Sequence, residues 1–376
     1  DTRSLVERIE GRKDVDGEGQ TYVIPQSTSP ETAGLDVDVL LKSAFGNAAT
    51  VSLTKVYSPS DAQTDLTPFT MVFEQDNERS DVLAGCVCNE VSLTWNEGDE
   101  PKWRFSGMAI RHSVVGRGLI DGVIASGTTT IGLDLGASRA FQVGGLIQIA
   151  GSTPLASVTD GFLIVGTFED PRTFTLADGE IEIVETVTAA ADNAVVSPYF
   201  GSSTVSADSP ASEIEGEFDI IAFSDSGGNT PLSAAANAVP GDDIDFVGLE
   251  WTMSNNFKRL NKPGNAEPID FSAGRRSVTG TLTMFGKRDT LAMIHATKLS
   301  GTTDVNPIGI RGVLGGAFAA LTTVEFRLPK CELDYNFEIP DGSSDDEATA
   351  PLAFTAFAAK VEPDDAEAFE MKITIT

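Results

Sequence analysis

The sequence predicts a mainly β protein: two packed antiparallel sheets with one or two short helices, interrupted by an inserted small β-barrel. Three observations carry this reading. Apolar residues recur with period 2 over much of the chain. The strand-like GCVCNEVSLTWN at 85–96 has a counterpart of the same plan in FVGLEWTMSNN at 246–256. Between the two lies a segment of different texture, with short apolar runs separated by Gly-rich turns.

The first strand puts Val91, Leu93 and Trp95 on one face and Glu90, Ser92 and Thr94 on the other. After the turn-forming EGDEP, Trp103, Phe105 and Ala109 alternate with Lys102, Arg104 and Ser106. That pattern is an antiparallel pair with one buried face. The counterpart repeats the logic, with Leu249, Trp251 and Met253 against Glu250, Thr252 and Ser254, and SVTGTLTMF at 277–285 as the return strand. Further on, Val324, Phe326 and Leu328 alternate, then Cys331, Leu333, Tyr335 and Phe337 alternate on the opposite parity. The slip falls at Pro329 and Lys330, and because proline cannot donate to a ladder a bulge or edge kink is expected there. Phe369, Met371, Ile373 and Ile375 predict a closing strand.

Two segments carry helical signals. VDVLLKSAFGN at 37–47 has an apolar stripe and a Gly46 stop; DTLAMIHATKLSG at 289–301 has Asp289 as a cap, Lys298 at the negative end of the dipole and Gly301 as terminator. Residues 118–200 hold five expected strands, TTTIGLD, FQVGGLIQIA, GFLIVGTFEDPRTFTLA, EIEIVETV and AVVSPYF, which read as a small closed barrel. Residues 201–245, with SSTVSADSPAS and NTPLSAAANAVPGDD, read as linker or long loop. The expected organisation is therefore a host domain in two parts, 1–117 and 246–376, with 118–200 inserted into it.

At 376 residues and 41% hydrophobic content, the chain can bury one large core or two modest ones. No apolar run approaches the roughly 18 residues of a membrane span, and the opening DTRSLVERIEGRKD is polar, which predicts no signal peptide there. Cys86, Cys88 and Cys331 are an odd set in a large chain, so a disulfide framework is not expected. Asp and Glu number 56 against 26 Lys and Arg, a formal net charge of -30. Such a chain repels itself and repels phosphates, which argues against broad nucleic-acid binding. The charge fits a protein built for high salt, or a surface meant not to hold a polyanion; the count of only 11 Lys leans toward the first.

Candidate chemistry is thin. SDSGG at 224–228 resembles a serine-protease nucleophile turn, yet His112 sits at a strand end and His295 follows the serine within a helix, so the triad's order and context are missing. Two histidines and three cysteines give no zinc spacing, and the C-x-C at 86–88 puts both thiols on one strand face. DVDGEG at 14–19 and DGSSDDE at 341–347 read as solvated acidic loops without a calcium-loop pattern. No phosphate-binding Gly-rich loop opens a helix. No catalytic, metal or cofactor residue is assigned, and no cofactor is expected.

One stretch breaks the acidic rule. Lys258, Arg259, Lys262, Arg275, Arg276, Lys287 and Arg288 stand against Glu267 and Asp270. They read either as a solvated loop or as a positive surface docking on an acidic surface of another copy. Aromatic interleaving is nearly absent, which disfavours nucleic acid.

RSLVERIEGRKDV, PETAGLDVDVLLKSAFG, TPFTMVFEQ, GCVCNEVSLTW and WRFSGMA, followed by WTMSNNF, FSAGRRSVTGTLTMF and VEFRLPKCEL, together resemble the tail tube protein of long-tailed phages and related archaeal viruses. The segment from FQVGGLIQI through TFTLA to VVSPYF resembles the small barrel some of these proteins carry. The resemblance implies hexameric rings stacked into a tube, a lumen through which genomic DNA passes without specific binding, and neighbours among the other tail proteins: a tape measure inside, a terminator and a baseplate at the ends. It implies a virion component assembled in the host cytoplasm. Ring stacking is expected at Lys258, Arg259, Lys262, Arg275 and Arg276. A cell-surface β protein that binds through its small barrel is the alternative. The charge yields a test: if the chain is built for high salt, thermal melts followed by circular dichroism should move upward between low and molar salt, and a midpoint that does not rise refutes salt adaptation.

Overall fold

The computed structural model describes residues 15–23, 37–51, 54–60, 66–75, 79–116, 118–121, 123, 125–133, 146–150, 162–168, 179–187, 194–198, 217–222, 246–265, 267–285, 308–315, 323–334, 349–358 and 369–375. In chain order these begin with β1 (Val15–Tyr22), α1 (Asp38–Phe45), β2 (Gly46–Val51), β3 (Thr54–Pro59), β4 (Phe69–Gln75), β5 (Arg79–Asn96), β6 (Lys102–Ala109) and β7 (Arg111–Gly116). Shorter strands follow: β8 (Gly118–Leu119), β9 (Thr128–Leu133), β10 (Leu146–Ala150), β11 (Phe162–Phe168), β12 (Gly179–Val187) and β13 (Val195–Pro198). The chain continues with β14 (Glu217–Ala222), β15 (Phe246–Ser254), β16 (Lys258–Leu260), β17 (Asp270–Ser272) and β18 (Ser277–Phe285). It then forms β19 (Ile308–Leu314), β20 (Val324–Leu333), β21 (Thr349–Phe357) and β22 (Lys372–Ile375). The protein is mainly β, as expected. It divides into two compact units, one of Asp1–Phe69, Cys86–Ala109 and Val205–Thr376, the other of Thr70–Gly85 and Ile110–Thr204.

The first unit is built on one antiparallel path, β1-β6-β5-β15-β18-β21-β20-β22-β3-β2, with β19 beside β20 and β14 beside β19. At its centre the two similar strands are direct neighbours. Leu93 lies opposite Trp251 and Trp95 opposite Leu249, so the pairing reads the same from either strand and a local two-fold relation passes between β5 and β15. Return strands flank them symmetrically, β6 on β5 and β18 on β15. The period-2 alternation does what it predicts: Val91, Leu93, Trp95, Trp103, Phe105, Leu249, Trp251 and Met253 are buried in one core.

That core lies between two layers of the same path. Phe326 on β20 touches both Trp95 (6.4 Å, edge-on) and Trp251 (6.3 Å), although β18 and β21 separate β20 from β15 along the path. Trp103 meets Trp251 edge-on at 5.7 Å. The sheet therefore folds over, and all three tryptophans of the chain sit in the fold. Two glycines give the rings room. Gly280 stands opposite Phe354 and Gly312 opposite Phe326, and a Cβ on either glycine would collide with the facing ring.

The turn from one layer to the other is made inside β20. Val324–Arg327 pair with β22, whereas Lys330–Leu333 pair with β21. Against β19 the register shifts between Ile308 (opposite Cys331) and Ile310 (opposite Leu328), which sets Pro329 and Lys330 together against Gly309 as a bulge of one extra residue. This is the site the parity slip predicts, and Leu328 and Pro329 are accordingly both buried.

Helix α1 closes one side of the core with Leu41, Ala44 and Phe45. It ends at Gly46, whose φ of 81° suits glycine and whose N–H bonds Lys42 O. Cys88 N–H donates to Ser43 Oγ at 3.1 Å, and buried Asn255 donates through Nδ2 to Ala44 O at 2.8 Å and Cys88 O at 3.3 Å. In the first turn the Asp38 carboxylate receives Lys42 (2.7 Å), Lys55 (2.5 Å) and the Tyr57 hydroxyl (2.5 Å). Burial alone would raise the Asp38 pKa; the three hydrogen bonds and the Lys55 charge outweigh it and hold the carboxyl below its ordinary range. Burial, then Asp38 itself, pushes the Tyr57 hydroxyl far above its own.

The second unit contains a six-stranded sheet, β8-β13-β10-β11-β12-β9, around Ile120, Ile131, Leu133, Ile149 and Val196. Its two ends touch through one bridge, Ile120 to Leu133, so it is not the closed barrel expected. β8 has two residues, too few for the ladder that closure needs. Arg79–Ala84 of β5 pair with β7 in the same unit.

Two further expectations change. The acidic DVDGEG segment is not a loop from Val15 onward but the sheet-edge strand β1, with Asp16 and Glu18 on one face. Within the stretch expected as linker, Glu217–Ala222 form β14, registered on β19. The helix expected at 289–301 lies outside the described residues.

Two measurements test this account. Gly312→Ala should displace the Phe326 ring and destabilise the chain by about 1–3 kcal/mol, read as a lower denaturant midpoint; an unchanged midpoint would show that the ring has room. A carboxyl held below its ordinary value of 3.8 contributes stability that is complete above that value and is lost as pH falls through the lower folded one. The acid limb of a stability curve should therefore be shallower in Asp38→Asn than in the wild type, and parallel limbs would contradict the assignment.

Candidate functional site

Two surfaces of the first unit stand out once its core is subtracted. The first is the outer face of the central sheet. With Leu249, Trp251 and Met253 turned inward, period 2 turns Glu250, Thr252 and Ser254 outward, beside Glu90, Ser92 and Thr94 on β5. The same face continues through Thr279 and Thr281 on β18 and Thr355 on β21 to Glu332 on β20. Glu250, Thr252, Thr279, Thr281, Glu332 and Asp334 line an open groove across it. Threonine suits such a face because its branched stem favours the strand while its hydroxyl stays wet and uncharged. Arg104 on β6 bonds Glu18 at 2.8 Å, and with Glu90 and Glu250 farther off it is held more firmly protonated than usual. Across β5, β15, β18 and β21 the face is hydroxylic and acidic, and Lys102 and Arg104 stand at its β6 margin.

The second surface is the hairpin β16–β17, which follows β15 directly. Its base is fixed from several directions. Phe257 and Phe271 meet at 6.4 Å, Phe257 N–H donates to Asn89 Oδ1 at 2.7 Å, and Asn256, at φ 51°, donates to Arg275 O at 2.7 Å. Gly274 allows a close pass: a Cβ there would stand 2.5 Å from Asn256 O. Its tip is a tight turn, Lys262-Pro263-Gly264-Asn265, with Gly264 at φ 90° and Asn265 N–H on Lys262 O at 3.2 Å.

The five basic residues singled out from sequence separate into two sets. Lys258, Lys262 and Arg275 are exposed, with no ion-pair partner among the described residues. Arg259 turns inward to Val15 O (2.6 Å) and Asp16 (2.5 Å), tying the hairpin to β1. Arg276 forms a two-pronged pair with Glu370, reaching 2.9 Å, and donates to Ser60 O at 2.9 Å. These two arginines hold the subunit together, a role invisible from local charge because Asp16 and Glu370 are remote in sequence. Asn255 was missed for a similar reason: its signal is only an Asn pair at the end of a strand.

The remaining candidates offer no reactive constellation. His112 Nε2 lies 2.9 Å from Asp81 Oδ1. SDSGG, His295 and the DGSSDDE segment lie outside the described residues. All three cysteines are buried, and burial pushes the Cys88 thiol up to about 12 and Cys331 higher still. Among the described residues no three His, Cys, Asp or Glu side chains gather as a metal site, and no helix is long and apolar enough to cross a membrane.

Compared with known proteins, the chain matches no curated protein. It does match one family model, and the match runs from the N-terminus through β1, α1 and the β5–β6 pair into the six-stranded unit. Residues 1–165 match the family model of the phage tail tube protein.

Proposed function

We propose that this chain is a tail tube subunit that assembles with copies of itself into stacked rings, hexameric as the resemblance implies, whose bore conducts the genome out of the capsid. The observation that carries the reading is the outer face of β5, β15, β18 and β21. A conduit has to let a polyanion slide, and a wall of hydroxyls and carboxylates offers phosphates no cation that could displace their counterions, so it does not hold them. The path through the first unit also ends in β1 and β2, whose outer edges have no ladder partner among the described residues. Such edges are places where a neighbouring copy can continue the sheet. The role is geometric, so the residues that matter shape and charge a wall rather than make or break bonds. Tape measure, terminator and baseplate proteins are the expected neighbours inside the tube and at its ends. Residues 118–200 are read as an insertion that the wall does not require.

Electron microscopy of the purified protein in low and high salt tests this. Rings or striated tubes with a central hole are expected, with the same bore for a chain lacking 118–200. Dispersed monomers in both salts would overturn the conduit reading and favour a surface-binding protein.

A further inference from the structure

The basic hairpin has a complementary surface at the far end of the same sheet. β15 begins beside the β5–β6 turn, where Glu97 N–H bonds Val247 O, and it ends at the hairpin. Nine strand residues separate the two by about 30 Å. At the turn Glu97, Asp99 and Glu100 are exposed and have no ion-pair partner among the described residues. At the hairpin the same is true of Lys258, Lys262 and Arg275. Apolar surface follows the same division: Leu260 (42% exposed) and Ile269 (51%) lie side by side on the hairpin, whereas Tyr22 (43%) lies at the turn end, its ring 5.6 Å from Lys102 Nζ.

We propose that the β16–β17 hairpin of one copy docks head to tail on the Glu97–Glu100 turn of the next copy, and that this contact stacks one ring on another. This rests on the tube reading and names the surfaces by which it is realised. Three features support it. In a chain of net charge -30, self-association requires a local positive surface facing a negative one, and the two ends of β15 supply both. The contact is heterologous, joining patches at opposite ends of one strand, so repetition along that strand's direction builds an open stack, the outcome of a heterologous contact whose rotation does not close. Both partners are held in shape before they meet. The hairpin is fixed by Phe257 against Phe271, by Arg259 on β1 and by its Pro-Gly tip; the acidic turn is fixed by Asp99 N–H on Asn96 O at 3.2 Å and by Gly98 at φ 82°. Docking therefore orders little that is not already ordered. Arg259 and Arg276 take no part, since their side chains are engaged within the subunit.

The test is a charge swap on the full chain, read by electron microscopy and analytical ultracentrifugation. The variant Lys258→Glu/Lys262→Glu/Arg275→Glu should lose tubes and leave single rings, as should Glu97→Lys/Asp99→Lys/Glu100→Lys. Combining all six substitutions in one chain should restore tubes, as should mixing rings of the two triple variants. Rescue excludes misfolding as the cause of the loss. If wild-type tubes form and either triple variant still forms them at full length, or if the swap does not rescue, this contact is wrong while the conduit reading stands. If the wild type forms neither rings nor tubes, both fall. Retention of the wild type on immobilised duplex DNA, lost in the lysine variant while tubes persist, would assign the hairpin to nucleic acid instead.

Discussion

The structure depends on one pairing, that of β5 with β15. These strands come from distant parts of the chain, and the second unit lies between them in sequence. Closing so long a loop costs entropy that no local contact offsets, so the pairing must be strongly specified by what it buries. It is: Leu93 against Trp251 and Trp95 against Leu249 place two tryptophans and two leucines on one face, and a slip of either strand by one residue would turn its own tryptophan and leucine to water. Everything on either side is registered from that line. β6 and β1 extend it one way, and β18 and β21 extend it the other. The outer groove and the hairpin that follows β15 take their positions from the same pairing.

Alternation also ties stability to surface chemistry. Each buried Trp or Leu fixes an outward Ser, Thr or Glu beside it, so the acidic face cannot drift relative to the core. The facing layer is held by Phe326, which reaches Trp95 and Trp251 because Gly312 leaves its ring a place to lie. Burying one such ring contributes about 1.5–3 kcal/mol, and its truncation costs more because the void persists. On the far side, Ser43 and Asn255 join helix and strand by polar contacts between buried groups, where unmade hydrogen bonds are expensive.

What was legible in the sequence was whatever depends on local period. The β5–β6 and β15–β18 pairs, the helix with its Gly46 stop, the closing strand and the bulge at Pro329 could all be read from spacing alone. β1 could not, since an edge strand with both faces wet has no apolar alternation to betray it, and Gly17 and Gly19 disguise it further. β14 was hidden by acidic neighbours. The open form of the six-stranded sheet turns on the shortness of β8, which composition does not report. The basic cluster was visible as a cluster, but its division was not. Arg259 and Arg276 are indistinguishable from Lys258 and Lys262 until the partners at Asp16 and Glu370 arrive from elsewhere in the chain.

The bulge in β20 has a mechanical meaning. Because Val324–Arg327 belong to one layer and Lys330–Leu333 to the other, the layers share a covalent backbone rather than meeting only through side chains. Tension applied to either layer passes along this strand into the other and is resisted by ladder hydrogen bonds on both sides of Pro329. Separating the two layers therefore requires breaking ladder hydrogen bonds as well as side-chain contacts.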